Sequence, residues 1–374
     1  MPTLRELPAQ RDVPYRLLTR DQLADELSVM FEEEVDVDLL AAEERLFKRI
    51  GLIPSGADLY EMLLELYSGS IAAFYRPDTG AFYVVERDGP FGPLDKMIVA
   101  HEYTHALQEQ HFDLEGTRIV DPAQGDAALA QLAAVEGDAS HVMYTWTTTH
   151  LSIAEQIQLY VEILEQQQEQ QTGDMPPILT RQLEFPYADG YFFIQQVHAD
   201  GGWAAVDETL RTPPASTEQI LHIEKYYAGE RPVAIELADA APALGGGWTH
   251  VYSQTFGELN VGVWAAGGEA PDTPIPGLPV DYPHAEVAAG WGGDRLHMYE
   301  DGGDGWAIVW ETAWDSAADT DEYLARAQSL LPTLDGVARV ERVASSVAGQ
   351  PDRVRLLVAG DQATLDRLSA ALGQ

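Results

Sequence analysis

The chain contains no cysteine. That single absence excludes disulfides, thiolate metal sites, cysteine nucleophiles and iron–sulfur clusters, and leaves His and carboxylate as the ligands for any metal. Lysine is nearly absent too: Lys48, Lys96 and Lys225 are the whole set. With 22 Lys+Arg against 61 Asp+Glu, the formal net charge is -39. Such a field repels phosphate, which argues against nucleic acid and anionic membrane surfaces as partners. No apolar run approaches the roughly 18 residues needed to span a bilayer. No basic-then-apolar leader follows Met1, because MPTLRELPAQRDVPYRLL is mixed and polar. The expectation is a soluble chain with no membrane span, in keeping with an extracytoplasmic setting that the composition does not fix. Oligomeric state is not readable.

What is present suffices for a sizeable core. At 374 residues, 45% of them apolar, two domains are expected. Helical spacing marks Leu23–Phe31, Leu39–Ile50 and Ala57–Tyr67, with Glu32–Glu34 as a solvated turn. The period then changes: IAAFYRPDTGAFYVVE reads as a hairpin around Arg76–Gly80, with Ala81 to Glu86 as a free edge. Helices follow from Pro93 to His111, Ala123 to Thr149 and Ile153 to Gln171, and two more are punctuated by Pro176–Pro177 and Pro213–Pro214. Beyond Arg231, strand-like runs (AEVAAGW, RLHMYE, WAIVWETAW, RVERVA, RVRLLVAG) alternate with helices near Asp319–Leu331 and Asp361–Leu372. The fold class read from this is α+β. A mainly helical catalytic domain spans 1–230, made of an N-terminal helical segment (1–70) and a core (71–230) with a small edge hairpin. A C-terminal α+β domain spans 231–374, the boundary lying between Tyr227 and Leu244.

The chemistry sits at His101-Glu102-Tyr103-Thr104-His105, an HExxH on a predicted helix. Residues four apart stack on one helix face, so His101 and His105 can each give one imidazole nitrogen to a single ion. Glu102 lies about 100° around the helix, placed to serve a metal-activated water without being a ligand. Zinc acidifies water and polarises a carbonyl, while the carboxylate accepts the proton and returns it to the leaving amine. Composition alone gives an HExxH in roughly 2–3% of chains this long, so context matters. Met97 to Ala100 before it and Ala106-Leu107 after it are what a half-buried catalytic helix needs.

A third ligand must come from elsewhere. His111 has the HExxHxxGxxH spacing, but Gln108 stands where that motif needs glycine. If the helix continues, His111 is rotated about 240° from His105 and cannot reach the same ion. Glu136 is the better candidate, in AALAQLAAVEGDASHVMYTW, where small residues allow close packing and a lone buried carboxylate is explained by a metal. Asp126 and Asp138 are candidates for orienting a ligating imidazole.

HExxH with a downstream Glu on a second helix resembles the gluzincin zinc metallopeptidases, the thermolysin-like division. The wider run AHEYTHALQEQHFDL … AAVEGDAS … FPYADGYFF … PPASTEQILHIEKY … GWGGDR resembles a bacterial and archaeal group of HExxH proteins, patchily from Ala72 to Trp314. The resemblance implies zinc (Zn2+) on His101, His105 and Glu136, with Glu102 as base. This chain departs from thermolysin in the 31-residue gap from His105 to Glu136 and in having Ser140 where the Glu-xxx-Asp pattern has Asp.

Such chemistry also needs a donor for the oxyanion. His222, with Tyr226 one turn on, is the candidate; Tyr187 and Tyr191 are alternatives. Glu218 and His222, four apart, form a conceivable second metal pair. His141, His150, His250, His284 and His297 are read as structural or surface, and Gly292–Arg295 as turns between strands. The expectation is therefore a hydrolase, a zinc-dependent metalloprotease acting on a peptide or protein substrate. Its rivals are a non-catalytic envelope or binding protein with a structural or vestigial zinc site, and a hydrolase of non-peptide amides.

Overall fold

The computed structural model describes the chain apart from residues 20, 24–25, 27–28, 30–35, 71–72, 77–78, 87–90, 170–174, 270–281, 346–349 and 374, and the side chains of 67–70 and 166–169. The expected helix from Leu23 to Phe31 and the Glu32–Glu34 turn lie largely outside the described residues. The protein is α+β, with a three-stranded and a five-stranded sheet among long helices.

Aromatic and β-branched residues on either side of the 76–80 loop make the expected hairpin. Strands β2 (Ala73–Arg76) and β3 (Ala81–Val85) pair antiparallel, Tyr75 opposite Phe82. A further strand, β1 (Tyr15–Leu18), joins β3 in parallel, Tyr15 also opposite Phe82. The order β1-β3-β2 corrects the reading of Ala81–Glu86 as an edge: β3 is the middle strand. Its residues are buried on both faces, whereas β2 is only half-buried, and β2 is the edge that runs beside the HExxH helix.

That helix, α4 (Pro93–Phe112), starts cleanly. Pro93 loses no hydrogen bond in the first turn, and the Asp95 carboxylate accepts the Gly92 N–H at 2.7 Å. It runs straight through His111 and stops only where Asp113 turns left-handed, φ 49°. Against it packs α5 (Gly125–His150), and against α5 packs α7 (Pro177–Arg211), which is broken at Gly202. The contact between α5 and α7 has no room for side chains: a Cβ on Gly137 would lie 2.2 Å from the Gly190 carbonyl oxygen, and one on Gly190 would lie 2.2 Å from that of Ala133. Gly137 is thus a helix–helix contact. Helix α6 (Ile153–Glu169) covers the other flank of α4 through Leu159 and Ile163.

The C-terminal part is an antiparallel sheet in the order β4-β5-β6-β8-β7: Thr249–Gln254, Trp291–Glu300, Trp306–Trp314, Arg353–Ala359 and Val337–Val343. Both of its faces are buried. Trp306, Ile308 and Trp310 of β6 face one core, and Ala307 and Val309 the other, which is why WAIVWETAW reads as one continuous apolar run. The second face is covered by α12 (Gln362–Leu372). The first is covered by α10 (Gly257–Ala266), α11 (Ala317–Leu330) and, from the far end of the chain, α2 (Val37–Arg49) and α3 (Leu59–Ser70). The 1–70 stretch is therefore shared out. Side chains from Ala42 to Leu66 belong to the core of the C-terminal sheet, so that core extends across 230/231.

Two elements differ from the sequence reading in kind. AEVAAGW forms a 3-10 turn at Ala285–Ala288, entered through a left-handed His284, and the strand begins only at Trp291. Asp294 lies inside β5, not in a turn. Its buried carboxylate accepts the N–H groups of Phe256 and Gly257 at the start of α10 and the indole N–H groups of Trp291 and Trp310, at 2.9–3.1 Å. No helix among the described residues is long and apolar enough to cross a membrane.

Candidate metal centre

His101 and His105 stand one turn apart on α4, their rings 4.6 Å between centroids and nearly perpendicular. Glu136 comes from α5, brought close by the small residues Ala130, Ala133, Ala134 and Gly137 in the packed part of that helix. Three ligand atoms converge: His101 Nε2 and His105 Nε2 are 3.0 Å apart, and Glu136 Oε2 is 3.0 Å from the first and 3.2 Å from the second. Tetrahedral coordination with bonds of about 2.0–2.1 Å puts neighbouring ligand atoms about 3.3 Å apart. The donor set, its spacing and its burial therefore fit zinc. His111 is elsewhere: its Nε2–H donates to the Pro8 carbonyl at 2.8 Å.

The three groups act on one another's charge. Burial pulls the His105 imidazole down, but the Glu136 carboxylate beside it raises it to about 9. Burial pushes the Glu136 carboxyl up, and the two imidazoles more than reverse this, leaving it well below the ordinary carboxylate range. Glu102 lies outside the triad. It is 7% exposed, and its carboxylate accepts the backbone N–H of Tyr75 on β2. Burial holds its carboxyl above the usual range, against the pull of His101 and His105.

The support for His105 was only half visible in the sequence. Its Nδ1–H donates to Gln108 Oε1 at 2.8 Å. The Gln108 amide nitrogen donates onward to the Val135 carbonyl at 3.0 Å and to Asp138 Oδ2 at 2.9 Å. Asp138 does point away from Glu136, as its spacing requires, and reaches the histidine through this glutamine. Asp126 plays no such part: it accepts the Thr217 N–H and hydroxyl, tying the start of α5 to helix α8 (Thr217–Leu221). His101 Nδ1 and Ser140 Oγ are both buried without a hydrogen-bond partner among the described residues.

His222 is not brought to this centre. It lies between α8 and α9 (Ile223–Ala228), and its Nε2–H donates to Glu258 of α10 at 2.8 Å. The start of α8 docks onto Asp126, and the imidazole faces α10. The aromatic residue that does reach the centre is Tyr187 on α7: its ring is 5.9 Å from that of His101 and the residue is 45% exposed. The notion of Glu218 and His222 as a metal pair also fails, because their partners differ. Glu218, Glu230 and Asp315 converge on the Lys225 ammonium, which already answers those carboxylates. Of the remaining histidines, His141 pairs with His198 at 3.1 Å and His250 stacks on His297.

One protein-family profile, described as a domain of unknown function (DUF8575), matches residues 248–369, the part that holds the five-stranded sheet and not the centre just described. No curated protein and no solved structure matches the chain.

Proposed function

We propose that this protein is a zinc-dependent metallopeptidase of the gluzincin type, hydrolysing bonds in a peptide or protein substrate. The observation that carries the reading is the convergence of His101 Nε2, His105 Nε2 and Glu136 Oε2 within 3.2 Å of one another, with the Glu102 carboxylate beside them but outside the group. Zinc held by these three atoms supplies Lewis acidity, acidifying a water and polarising the scissile carbonyl.

The protein's own groups do the rest. Glu102 takes a proton as the water oxygen bonds to the carbonyl carbon, and gives it to the nitrogen as the C–N bond breaks. A carboxyl held above its ordinary range by burial suits a group that must both take and return a proton. The Tyr75 N–H fixes that carboxylate from the β2 side. Because β2 is an outer strand, an extended peptide laid along it would meet Glu102 and the triad together. Tyr187 replaces His222 as the candidate oxyanion donor, and Tyr187→Phe should lower kcat roughly a hundredfold while leaving zinc content unchanged.

Burial of Glu102 favours one rival, a structural zinc site in a binding protein. Zinc content and hydrolysis of an unfolded protein substrate, measured on the parent and on Glu102→Gln, separate the two. One zinc per chain in both, with cleavage only by the parent, supports the peptidase. A parent that holds zinc and cleaves nothing supports the structural site. A parent without zinc, or a Glu102→Gln variant as active as the parent, overturns the proposal.

A further inference from the structure

Arg5 is among the largest fully buried side chains of the described residues, with a relative exposure of 0%. Burying a guanidinium is costly unless its charge is answered in place. Its Nε donates to Asp138 Oδ1 at 2.7 Å, and Asp138 is itself fully buried. Asp207 Oδ1 stands 2.8 Å from Nη2 as an ion pair that is off the hydrogen-bond line, and the guanidinium lies 4.5 Å from the centre of the Trp203 ring. The segment that carries Arg5 is well anchored. Leu7 is buried with Leu107, Phe112, Ala134 and Leu210, the Gln10 and Arg11 N–H groups donate to the Gln110 side chain, and β1 then joins the sheet that holds β2.

We infer that Arg5 is a positioning residue for the metal centre, acting on His105 through Asp138 and Gln108. The inference rests on the reading of His101, His105 and Glu136 as zinc ligands. The chain of bonds has a direction. Arg5 Nε holds Asp138 Oδ1, which aims Oδ2 at Gln108. Asp138 and the Val135 carbonyl therefore take both protons of the Gln108 amide nitrogen. The amide oxygen is left facing His105 Nδ1 and accepts its N–H. The ring is thereby held with Nε2 turned toward Glu136 and His101, as a ligand requires. Without Arg5, Asp138 Oδ1 loses its partner, the carboxylate can turn away from Gln108, and the Gln108 side chain no longer holds the His105 ring in place.

The test is a double-mutant cycle on zinc affinity, read by competition with a chromophoric chelator on the full chain, with folding checked by circular dichroism. Arg5→Gln and Gln108→Leu are each expected to weaken zinc binding by about ten- to a hundredfold, and the double variant no further than Gln108→Leu alone. Arg5→Lys, which keeps a charge beside Asp138, should recover part of the loss. Additive losses, or an Arg5→Gln variant that binds zinc as tightly as the parent, overturn the inference while leaving the metal assignment intact. A parent that binds no zinc overturns the assignment beneath it. If Arg5→Gln does not fold, Asp138→Asn takes its place in the cycle, and additivity there is equally decisive.

Discussion

A carboxylate buried beside imidazoles and one buried beside other carboxylates obey opposite rules, and Glu136 and Asp126 are the two cases. Glu136 is held ionised by its histidines, so Glu136→Ala should abolish stoichiometric zinc, measured by elemental analysis, while the chain stays folded. Asp126 is raised to about 7, by burial first, with the Thr217 hydroxyl and N–H opposing and the charges of Asp294 and Glu258 adding to it. A folded pKa above the unfolded one means that stability is complete below the unfolded value near 3.9 and is lost as pH rises through about 7. Asn keeps an oxygen for both Thr217 donors and removes the charge. Asp126→Asn should therefore raise the melting temperature at pH 8, by up to the order of a few kcal/mol of stability, and change little at pH 4. Equal effects at both pH values would contradict this. At this scale helical spacing, which is local, set His101 and His105 on one face, and the small residues around Glu136 marked it as close-packed; the structure brings these three together. Arg5 gave no signal, since its meaning depends on Asp138, 133 positions away. His222 misled because a histidine on a short helix looks the same in sequence whichever way that helix docks.

Long helices with one wet face were legible. The amphipathic α2 and α11 and the HExxH helix α4 fall within a few residues of their expected bounds. Helix α10 was missed because all ten of its residues are buried, so no polar stripe marks its period. Strand β1 was missed because YRLL is too short to alternate visibly, and without it β3 was mistaken for an edge. The element contact that matters most is the Gly137–Gly190 crossing, since Glu136 is the next residue. Gly137→Ala should cost about 1–3 kcal/mol in denaturant unfolding and weaken zinc binding as α5 is pushed off α7. Gly56, whose Cβ would meet nothing within 4 Å, is the control, and Gly56→Ala should leave both unchanged.

For the whole molecule the -39 charge is the governing term. Individual acids are answered locally, as around Lys225, but 61 acids against 22 bases leave a net self-repulsion that only solvent ions relieve. Going from about 0.01 M to 0.15 M salt shortens the screening length from about 30 Å to 8 Å, so the melting temperature should rise over that range. A fall would mean that ion pairs outweigh the repulsion. The parallel pairing of β1 with β3, together with the burial of Arg5 against Asp207, also sets an order in time. Tyr15 has no partner until Phe82 has been made, and Arg5 has no complete pocket until Asp207 has been made. At about 5–20 residues per second on the ribosome, that second wait is roughly 10–40 s. Asp138 is made about 70 residues before Asp207, so the buried Arg5–Asp138 pair waits in a half-built pocket until Trp203 and Asp207 arrive.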